Sequence, residues 1–385
     1  MRKPLRLGMV GGLSNVGETH RAAARMDGLY SLDAAVLSRD RDKNRRACED
    51  LGIAEDRRYS DFAAMAAAEA KREDGVEVVA VITPNNTHAP IAAAFLETGV
   101  HVLCEKPMTT SYEDALGLVR LAREKNLFLA LCHAYAFYPM VHEARRIVAA
   151  GELGALRTIQ VEYPSGWGAS LVETSKSGAA WRMDPAQSGA SSVVGDLGTH
   201  AHHLACFVSG LQARALLAEL STTVKGRGAD DNAQLLLRFD GGVGGALWTT
   251  MAAAGCANAL RLRVFGERGH LAWSQETPEE LFFRGGSGAD RVYRRAMEGM
   301  SAEAAAYSRS RPGQPQGFAE SFANLYRALA RAIHGRADGA APPWFPDGVD
   351  GARGVDLVEA ARRSHDGGGV WVALRDVEAD LAARD

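Results

Sequence analysis

Residues 5–20, "LRLGMVGGLSNVGETH", run from an apolar segment through a cluster of glycines toward a helix-forming sequence. The first half reads as a buried strand and the segment 17–27 as a helix. Between them stand Gly8, Gly11, Gly12 and Gly17. Glycine at a strand–turn–helix junction permits a tight turn and lets backbone N–H groups approach a pyrophosphate at the helix N-terminus. The spacing departs from the usual GxGxxG: one residue is inserted, and Leu13 or Ser14 stands where a glycine is expected. Gly11, Gly12, Ser14, Asn15 and Val16 are the candidate dinucleotide contacts of this turn. The plainer alternative is an ordinary βα connection.

The same grammar continues downstream. "SLDAAVLS" reads as strand and "RDKNRRACEDLG" as a helix ending at Gly52. "VEVVAVITP" is a continuous apolar strand, as strands buried on both faces of a parallel sheet are. "HAPIAAAFLETG" reads as helix with Gly99 at its C-terminal cap, followed by the strand "VHVLCEKP". "SYEDALGLVRLAREKN" is a helix with Ser111 as N-cap and Asp114 as a weaker capping partner. "LFLALCHAY" closes the set. Alternating strands and helices predict a doubly wound parallel sheet, an α/β dinucleotide-binding domain over residues 1–136.

After Tyr138 the pattern changes to a helix, "MVHEARRIVAAGELG", a strand, "LRTIQVEYP", and a Ser/Gly-rich loop reaching Ser192. "GDLGTHAHHLACFVSG" reads as helix. Five alternating segments follow between residues 214 and 276, with "DGG" and "GERG" suited to hairpins. Residues 285–315 are polar and irregular and are expected to be a long excursion. Two helices, "GFAESFANLYRALARAIHG" and "DGVDGARGVDLVEAARRSHDGG", close the chain. Residues 137–385 are therefore expected to form an α+β domain with an antiparallel sheet.

A chain of 385 residues is long enough for two cores. Lys and Arg number 44 against 47 Asp and Glu, and no basic block stands out. A nucleic-acid surface is not expected. The longest apolar runs fall short of the ~18–20 residues that span a bilayer. The beginning, "MRKPLRLGMVGG", is expected to be mature sequence rather than a signal peptide. Five scattered cysteines, Cys48, Cys104, Cys132, Cys206 and Cys256, make neither a disulfide framework nor a zinc ribbon. Four of them sit in apolar sequence and are expected to be small buried hydrophobes. The expected compartment is the reducing cytosol.

Five constellations carry chemistry. The glycine turn is the first. At the end of the second strand, "LSRDRD", Ser38 and Arg39 lean toward the 2′-phosphate of NADP, while Asp40 keeps the ribose hydroxyl of NAD open. "TPNNTHAP" (83–90) lies at a carboxyl strand end, where such sheets bind ligands. Its Thr83, Pro84, Asn85 and His88 are cofactor candidates, with a helix N-cap loop as the plain alternative for Thr87 and His88. Lys106 occupies another carboxyl strand end, where an ammonium can stabilise a developing alkoxide. The Lys106–Pro107 bond is a candidate for the cis isomer. On a helix, Asp196, His200 and His203 fall on one face, and a carboxylate one turn from an imidazole tunes it as a proton acceptor. The same residues invite a metal, but a catalytic zinc needs a third ligand and an open position. No further cluster supplies that ligand, so no metal is expected. Trp167, Trp181 and Arg182 are candidates for a sugar platform, with core packing as the alternative for Trp181.

Together with "CEKPMTT", "GELGALRTIQVEY", "WRMDPAQSGASSVVGDLGTHAHHL" and "GFAESFANLYRALARAI", these residues resemble the glucose–fructose oxidoreductase/inositol dehydrogenase/rhizopine-catabolism (Gfo/Idh/MocA) oxidoreductases over nearly the whole chain. Within the family the sequence is most similar to bacterial sugar, inositol and levoglucosan-type dehydrogenases. The resemblance implies an N-terminal Rossmann domain and an open, mostly antiparallel C-terminal sheet that serves as a dimer or tetramer interface. It implies that Lys106 orients substrate, that His200 is the acid/base, and that Asp196 holds substrate or His200. Glu105 and Asn85 would help hold NAD or NADP. His203 stands where many relatives carry an acidic residue. The expected reaction is hydride transfer between the nicotinamide and a secondary alcohol or ketone of a sugar, aminosugar or cyclitol. Two other classes are weighed beside it. One is an NAD-dependent glycoside hydrolase or lyase acting through a transient 3-keto sugar. The other is a non-catalytic cofactor sensor, which would be free to lose Lys106 and His200.

Overall fold

Leu5, Leu7, Met9 and Val10 are almost wholly buried, and they form the first strand of a parallel sheet. The structure is a computed structural model that describes residues 3–171, 180–286, 290–337, 339 and 341–383. The chain divides into two compact units: Met1–Cys132 with Phe322–Ala352 and Val377–Asp385, and His133–Ser321 with Arg353–Asp376.

The first unit holds the strands β1 (Leu5–Gly11), β2 (Tyr30–Val36), β3 (Val78–Ile82), β4 (His101–Cys104) and β5 (Leu129–Leu131). They lie in the order β2-β1-β3-β4-β5, every pair parallel. The order changes direction between β1 and β3. The carboxyl ends of those two strands are thus the switch point at which open α/β sheets bind ligands. The crossovers are α1 (Asn15–Met26), α2 (Arg41–Asp50), α3 (Phe62–Glu69), α4 (His88–Glu97) and α5 (Tyr112–Glu124). Ser111 caps α5 by accepting from Asp114 N at 3.2 Å, and Gly99 takes its left-handed place after α4 at φ +86°. α3, an alanine-rich run with apolar residues on every side, has no amphipathic stripe, which is why the sequence did not reveal it.

The second unit carries α6 (Pro139–Ala149), β6 (Leu156–Pro164), α7 (Pro185–Ser188), a single π-turn (Val194–Gly198) and α8 (Thr199–Ser209). Its other strands are β7 (Ala213–Ser221), β8 (Asn232–Phe239), β9 (Gly244–Thr250), β10 (Arg261–Gly266), β11 (Gly269–Ser274), β12 (Glu280–Gly285), β13 (Arg291–Arg294) and β14 (Val372–Ala373). The order is β13-β12-β11-β10-β6-β9-β8-β7-β14. Only β6–β9 is parallel. Helices α6 and α8 pack against one face of this sheet. On the other face Leu236 and Trp248 stand exposed, and Leu236 lies opposite Leu217 and Ala246.

The excursion expected over 285–315 is partly structured. β12 and β13 extend the sheet, and α9 (Ala302–Ala305) follows. The exposed, charged face of the edge strand β13 masked its period. Residues 287–289 of that stretch lie outside the described residues. α10 (Phe318–Ala337) and α11 (Gly348–Asp366) form as expected, and α12 (Val377–Ala382) ends the fold. All five cysteines are free, with Cys48, Cys104 and Cys132 buried and Cys206 and Cys256 partly exposed. Among the described residues no helix is long and apolar enough to cross a membrane.

Candidate active site

In the first unit, Gly11 and Gly12 adopt φ +81° and +89°, closed to most side chains. A Cβ on Gly11 would stand 2.2 Å from Ile82 O, and one on Gly17 would stand 1.9 Å from Gly12 O. Gly12 N donates to Ile82 O at 3.0 Å, which ties the turn to the end of β3. Because these two glycines complete the turn, α1 starts at Asn15, earlier than the expected 17. Ser14 at its N-cap makes no side-chain cap bond. The first amides of α1 are left to an anion, the arrangement a pyrophosphate needs. The inserted residue therefore does not close the cradle.

At the end of β2, Asn44 Oδ1 accepts from Leu37 N at 2.7 Å and Ser38 N at 3.2 Å. Asp40 caps α2 by accepting from Lys43 N at 2.9 Å. Ser38 Oγ accepts from Asp40 N, and Arg39 is exposed. After β3, Asn85 is buried and Thr87 Oγ1 bonds Thr83 Oγ1 and Pro84 O, each at 2.7 Å. His88 is the fourth cofactor candidate of this loop. It is fully buried, with Nδ1 2.9 Å from Pro107 O and Nε2 2.8 Å from Thr83 O. Both ring nitrogens face backbone carbonyls, so it braces the two loops against each other.

Glu105 and Lys106 follow β4, and the Lys106–Pro107 peptide is cis. Glu105 Oε1 accepts from His20 Nε2 at 2.9 Å, and Oε2 accepts from Lys106 N at 3.1 Å. Burial pushes the Glu105 carboxyl up, but the His20 hydrogen bond and the charges of His20 and Lys106 outweigh it and bring it down to about 2. The unfolded chain would protonate near the ordinary 4.5. The carboxylate, only 12% exposed, therefore contributes about 3 kcal/mol. That stability is complete above roughly pH 4.5 and is lost as the pH falls toward 2. Melting followed against pH is expected to lose this increment in that window, and Glu105→Gln is expected to flatten it.

His20 Nδ1 lies 2.8 Å from Tyr326 Oη, and Cys132 Sγ is 3.8 Å from His20 Nε2. One donor atom each of His20, Glu105 and Cys132 lies within 4.8 Å of the others, a composition that could hold a metal. Hydrogen bonds to Tyr326 and Glu105 already occupy both nitrogens of His20. The sequence reading passed over His20, although it ends the opening glycine segment. Tyr326 lies 306 residues away, and no local signal joins it to the site.

In the second unit, Arg182 Nε bonds Asp196 Oδ1 at 3.1 Å. The Arg182 guanidinium lies 4.5 Å from the Trp181 ring centroid and 5.8 Å from that of Trp167. These four expected substrate residues are brought together. Asp196 sits in the π-turn, not in an α-helical turn, so the expected i, i+4 relation to His200 is interrupted. Single π-turns occur frequently at functional sites. His200, in the first turn of α8, stands edge-on to Tyr135 (4.8 Å, 82°) and His133 (5.4 Å, 84°). Tyr135 and Tyr163 hydroxyls meet at 2.6 Å, and Asn258 Nδ2 donates to Tyr135 Oη at 3.0 Å. The sequence reading missed this trio. His203, an expected substrate residue, is buried and stacked 4.3 Å from His133 with planes 5° apart. Burial and the charges of Arg353 and Arg145 bring it down to about 3, so it is neutral packing at physiological pH. Of the pocket loop 164–192, residues 172–179 lie outside the described residues.

Comparison with known proteins decides the family. Residues 5–133 match the oxidoreductase family with an NAD-binding Rossmann fold, and residues 141–272 match the GFO/IDH/MocA C-terminal domain. An uncharacterised oxidoreductase, YfiI, of Bacillus subtilis (strain 168) is 32% identical, covering 97% of this chain and 98% of the relative. The chain belongs to the Gfo/Idh/MocA oxidoreductase family.

Among Gfo/Idh/MocA structures, an inositol dehydrogenase homologue of Azotobacter vinelandii complexed with NADH and myo-inositol is 35% identical. It superposes with a TM-score of 0.91, covering 97% of this chain and 98% of that one. Levoglucosan dehydrogenase of Pseudarthrobacter phenanthrenivorans (strain DSM 18606 / JCM 16027 / LMG 23796 / Sphe3) is 28% identical over 54% of this chain and 57% of its own. Like these Gfo/Idh/MocA relatives, the chain is an NAD-binding oxidoreductase of the dehydrogenase type, and its glycine turn fits the dinucleotide on its own geometry.

Proposed function

We propose that this chain transfers a hydride between NAD or NADP and a secondary alcohol or ketone of a sugar, aminosugar or cyclitol. The Asp196–Arg182 pair framed by Trp181 and Trp167, directly before His200 in the chain, carries the reading. Indole faces suit the C–H face of a six-membered polyol ring, and a carboxylate beside a guanidinium suits vicinal hydroxyls. The myo-inositol bound by the Azotobacter homologue supports the same substrate class. When bound, the nicotinamide supplies the hydride acceptor or donor. His200 removes or returns the hydroxyl proton, and Lys106 stabilises the developing alkoxide. Gly11, Gly12 and the amides of Ser14, Asn15 and Val16 hold the pyrophosphate, with Thr83, Pro84, Asn85 and Glu105 completing the cofactor side. In this division residues 1–136 serve the cofactor, and 137–385 serve the substrate and oligomerisation. The test is reduction of NAD or NADP against inositols, pyranoses and anhydrosugars. Sustained formation of reduced cofactor with at least one of them is expected. Cleavage of a glycoside without it would favour the hydrolase or lyase class.

Asp40 caps α2 through Oδ1, and the exposed Arg39 beside Ser38 at the end of β2 leans toward a 2′-phosphate. NADPH is expected to quench protein fluorescence at lower concentration than NADH. Arg39→Ala should weaken NADPH about tenfold, the value of one charge-assisted hydrogen bond, and leave NADH within twofold. Tighter NADH binding by the wild type contradicts this preference.

The open face of the nine-stranded sheet, with Leu236 and Trp248 exposed and Arg238 stacked 3.9 Å over Trp371, is the proposed homo-oligomer surface. Size measurements should give a dimer or tetramer, and the Leu236→Glu/Trp248→Glu variant should dissociate it. A monomeric wild type would contradict the assignment.

A further inference from the structure

The Glu105 carboxylate is the end of a hydrogen-bond run that the reaction as described does not use. An ionised carboxylate accepts only, so His20 Nε2 carries the proton it shares with Oε1 at 2.9 Å. On the other side of the ring His20 Nδ1 meets Tyr326 Oη at 2.8 Å. Tyr326 is itself fixed. Burial holds its hydroxyl well above the ordinary range, so it stays a donor. Tyr30 Oη donates to its carbonyl at 2.8 Å, and the Tyr30 ring packs edge-on against it at 5.2 Å. His20 is 0% exposed and edge-on to Phe322 at 5.1 Å. The second carboxylate oxygen takes the backbone N–H of Lys106. The run Tyr326–His20–Glu105 therefore ends on the residue proposed as the alkoxide stabiliser.

We infer that His20 and Tyr326 are positioning residues: they aim the Glu105 carboxylate, which in turn holds the Lys106 main chain. This rests on the proposed role of Lys106. A buried polar run of this kind is a poor way to gain stability, since apolar residues of similar volume often do as well. Its benefit lies in orientation, where a misplacement of about 1 Å can cost 10²-fold in rate. The groups that feel or set the Glu105 charge are His20 on α1, Lys106 beside it, His88 on α4, Cys104 on β4, Cys132 after β5 and Tyr326 on α10. Of these, His20 and Lys106 favour the anion most.

The experiment compares wild type, His20→Ala, His20→Gln, Tyr326→Phe and Lys106→Ala. It uses a substrate found in the polyol screen, direct titration with reduced cofactor, and acid unfolding of the cofactor-free protein. His20→Ala should lower kcat tenfold or more and weaken cofactor binding by a smaller factor, since Glu105 is also a proposed cofactor contact. The acid limb of its kcat/KM profile should move to higher pH, and its acid unfolding should begin at higher pH. His20→Gln, whose amide N–H replaces Nε2–H, should recover most of both. Tyr326→Phe, the gentler change should His20→Ala fail to fold, should shift both readouts in the same direction by less. Wild-type kcat and pH profiles in His20→Ala or Tyr326→Phe, beside an inactive Lys106→Ala, would overturn the inference alone. So would a His20→Gln as impaired as His20→Ala with an undiminished melting temperature. Turnover retained by Lys106→Ala would instead bring down the role of Lys106 and the inference with it.

Discussion

Lys106→Ala and His200→Ala are each expected to lower kcat by about 10²–10⁴-fold, the range contributed by a positioned acid–base or charge-stabilising group. The two losses should differ in form. Without His200 no imidazole takes the hydroxyl proton, so the remaining rate should climb with pH and lose the inflection of a titrating base. Without Lys106 the developing negative charge is uncompensated, and kcat and kcat/KM should fall together. In both variants cofactor binding, followed by fluorescence, should stay near wild type, because the glycine turn is untouched. Wild-type turnover in both would remove the role assignment.

Asp231→Ala is expected to be the most damaging change outside those two. Asp231 is wholly buried and paired with Arg227, itself 1% exposed, at 2.8 Å. It also accepts from Thr223 N and Oγ1, each at 2.7 Å, and from Val224 N at 3.0 Å. The other arm of Arg227 donates to Gly168 O, next to Trp167 in the chain. Removing the carboxylate strands a buried guanidinium, and breaking such a pair costs about 3–5 kcal/mol. For a unit of this size that lowers the melting temperature by roughly 6–20 °C. Asp231→Asn, whose single amide oxygen can keep two of the four accepted bonds, should lose less. A melting temperature unchanged in Asp231→Ala would show the pair to be dispensable. Because Arg227 anchors the segment bearing Trp167, substrate KM should rise in either variant.

The parallel half of the fold was legible because each element announces itself locally. β3 is apolar on both faces, α5 begins at Ser111, and α4 stops before Gly99. The glycine turn could be read for the same reason, while only three of the four cysteines expected to be buried are so. β13 escaped because an exposed charged edge carries no clean alternation, and α3 because alanine on every side leaves no stripe. The candidate site shows the same divide. Lys106, Asp196 and His200 stand in compact motifs, and Trp167, Trp181 and Arg182 were drawn from one loop. The burial of His88 and His203 was not legible, because it depends on neighbours distant in sequence: Pro107 for one, His133 for the other. Tyr326 and Asn258 had no local signature at all. The π-turn at Val194–Gly198 also could not be anticipated, since one extra residue in a helical turn leaves the apolar pattern nearly unchanged.

The most direct test of hydride transfer from a polyol carbon uses a substrate from the screen with deuterium on the reacting carbinol carbon. The account predicts that the label appears in the reduced nicotinamide in equal proportion to product and that Lys106→Ala and His200→Ala form both about 10²–10⁴-fold more slowly. Reduced cofactor free of deuterium, or product formed without any net reduced cofactor, would contradict it.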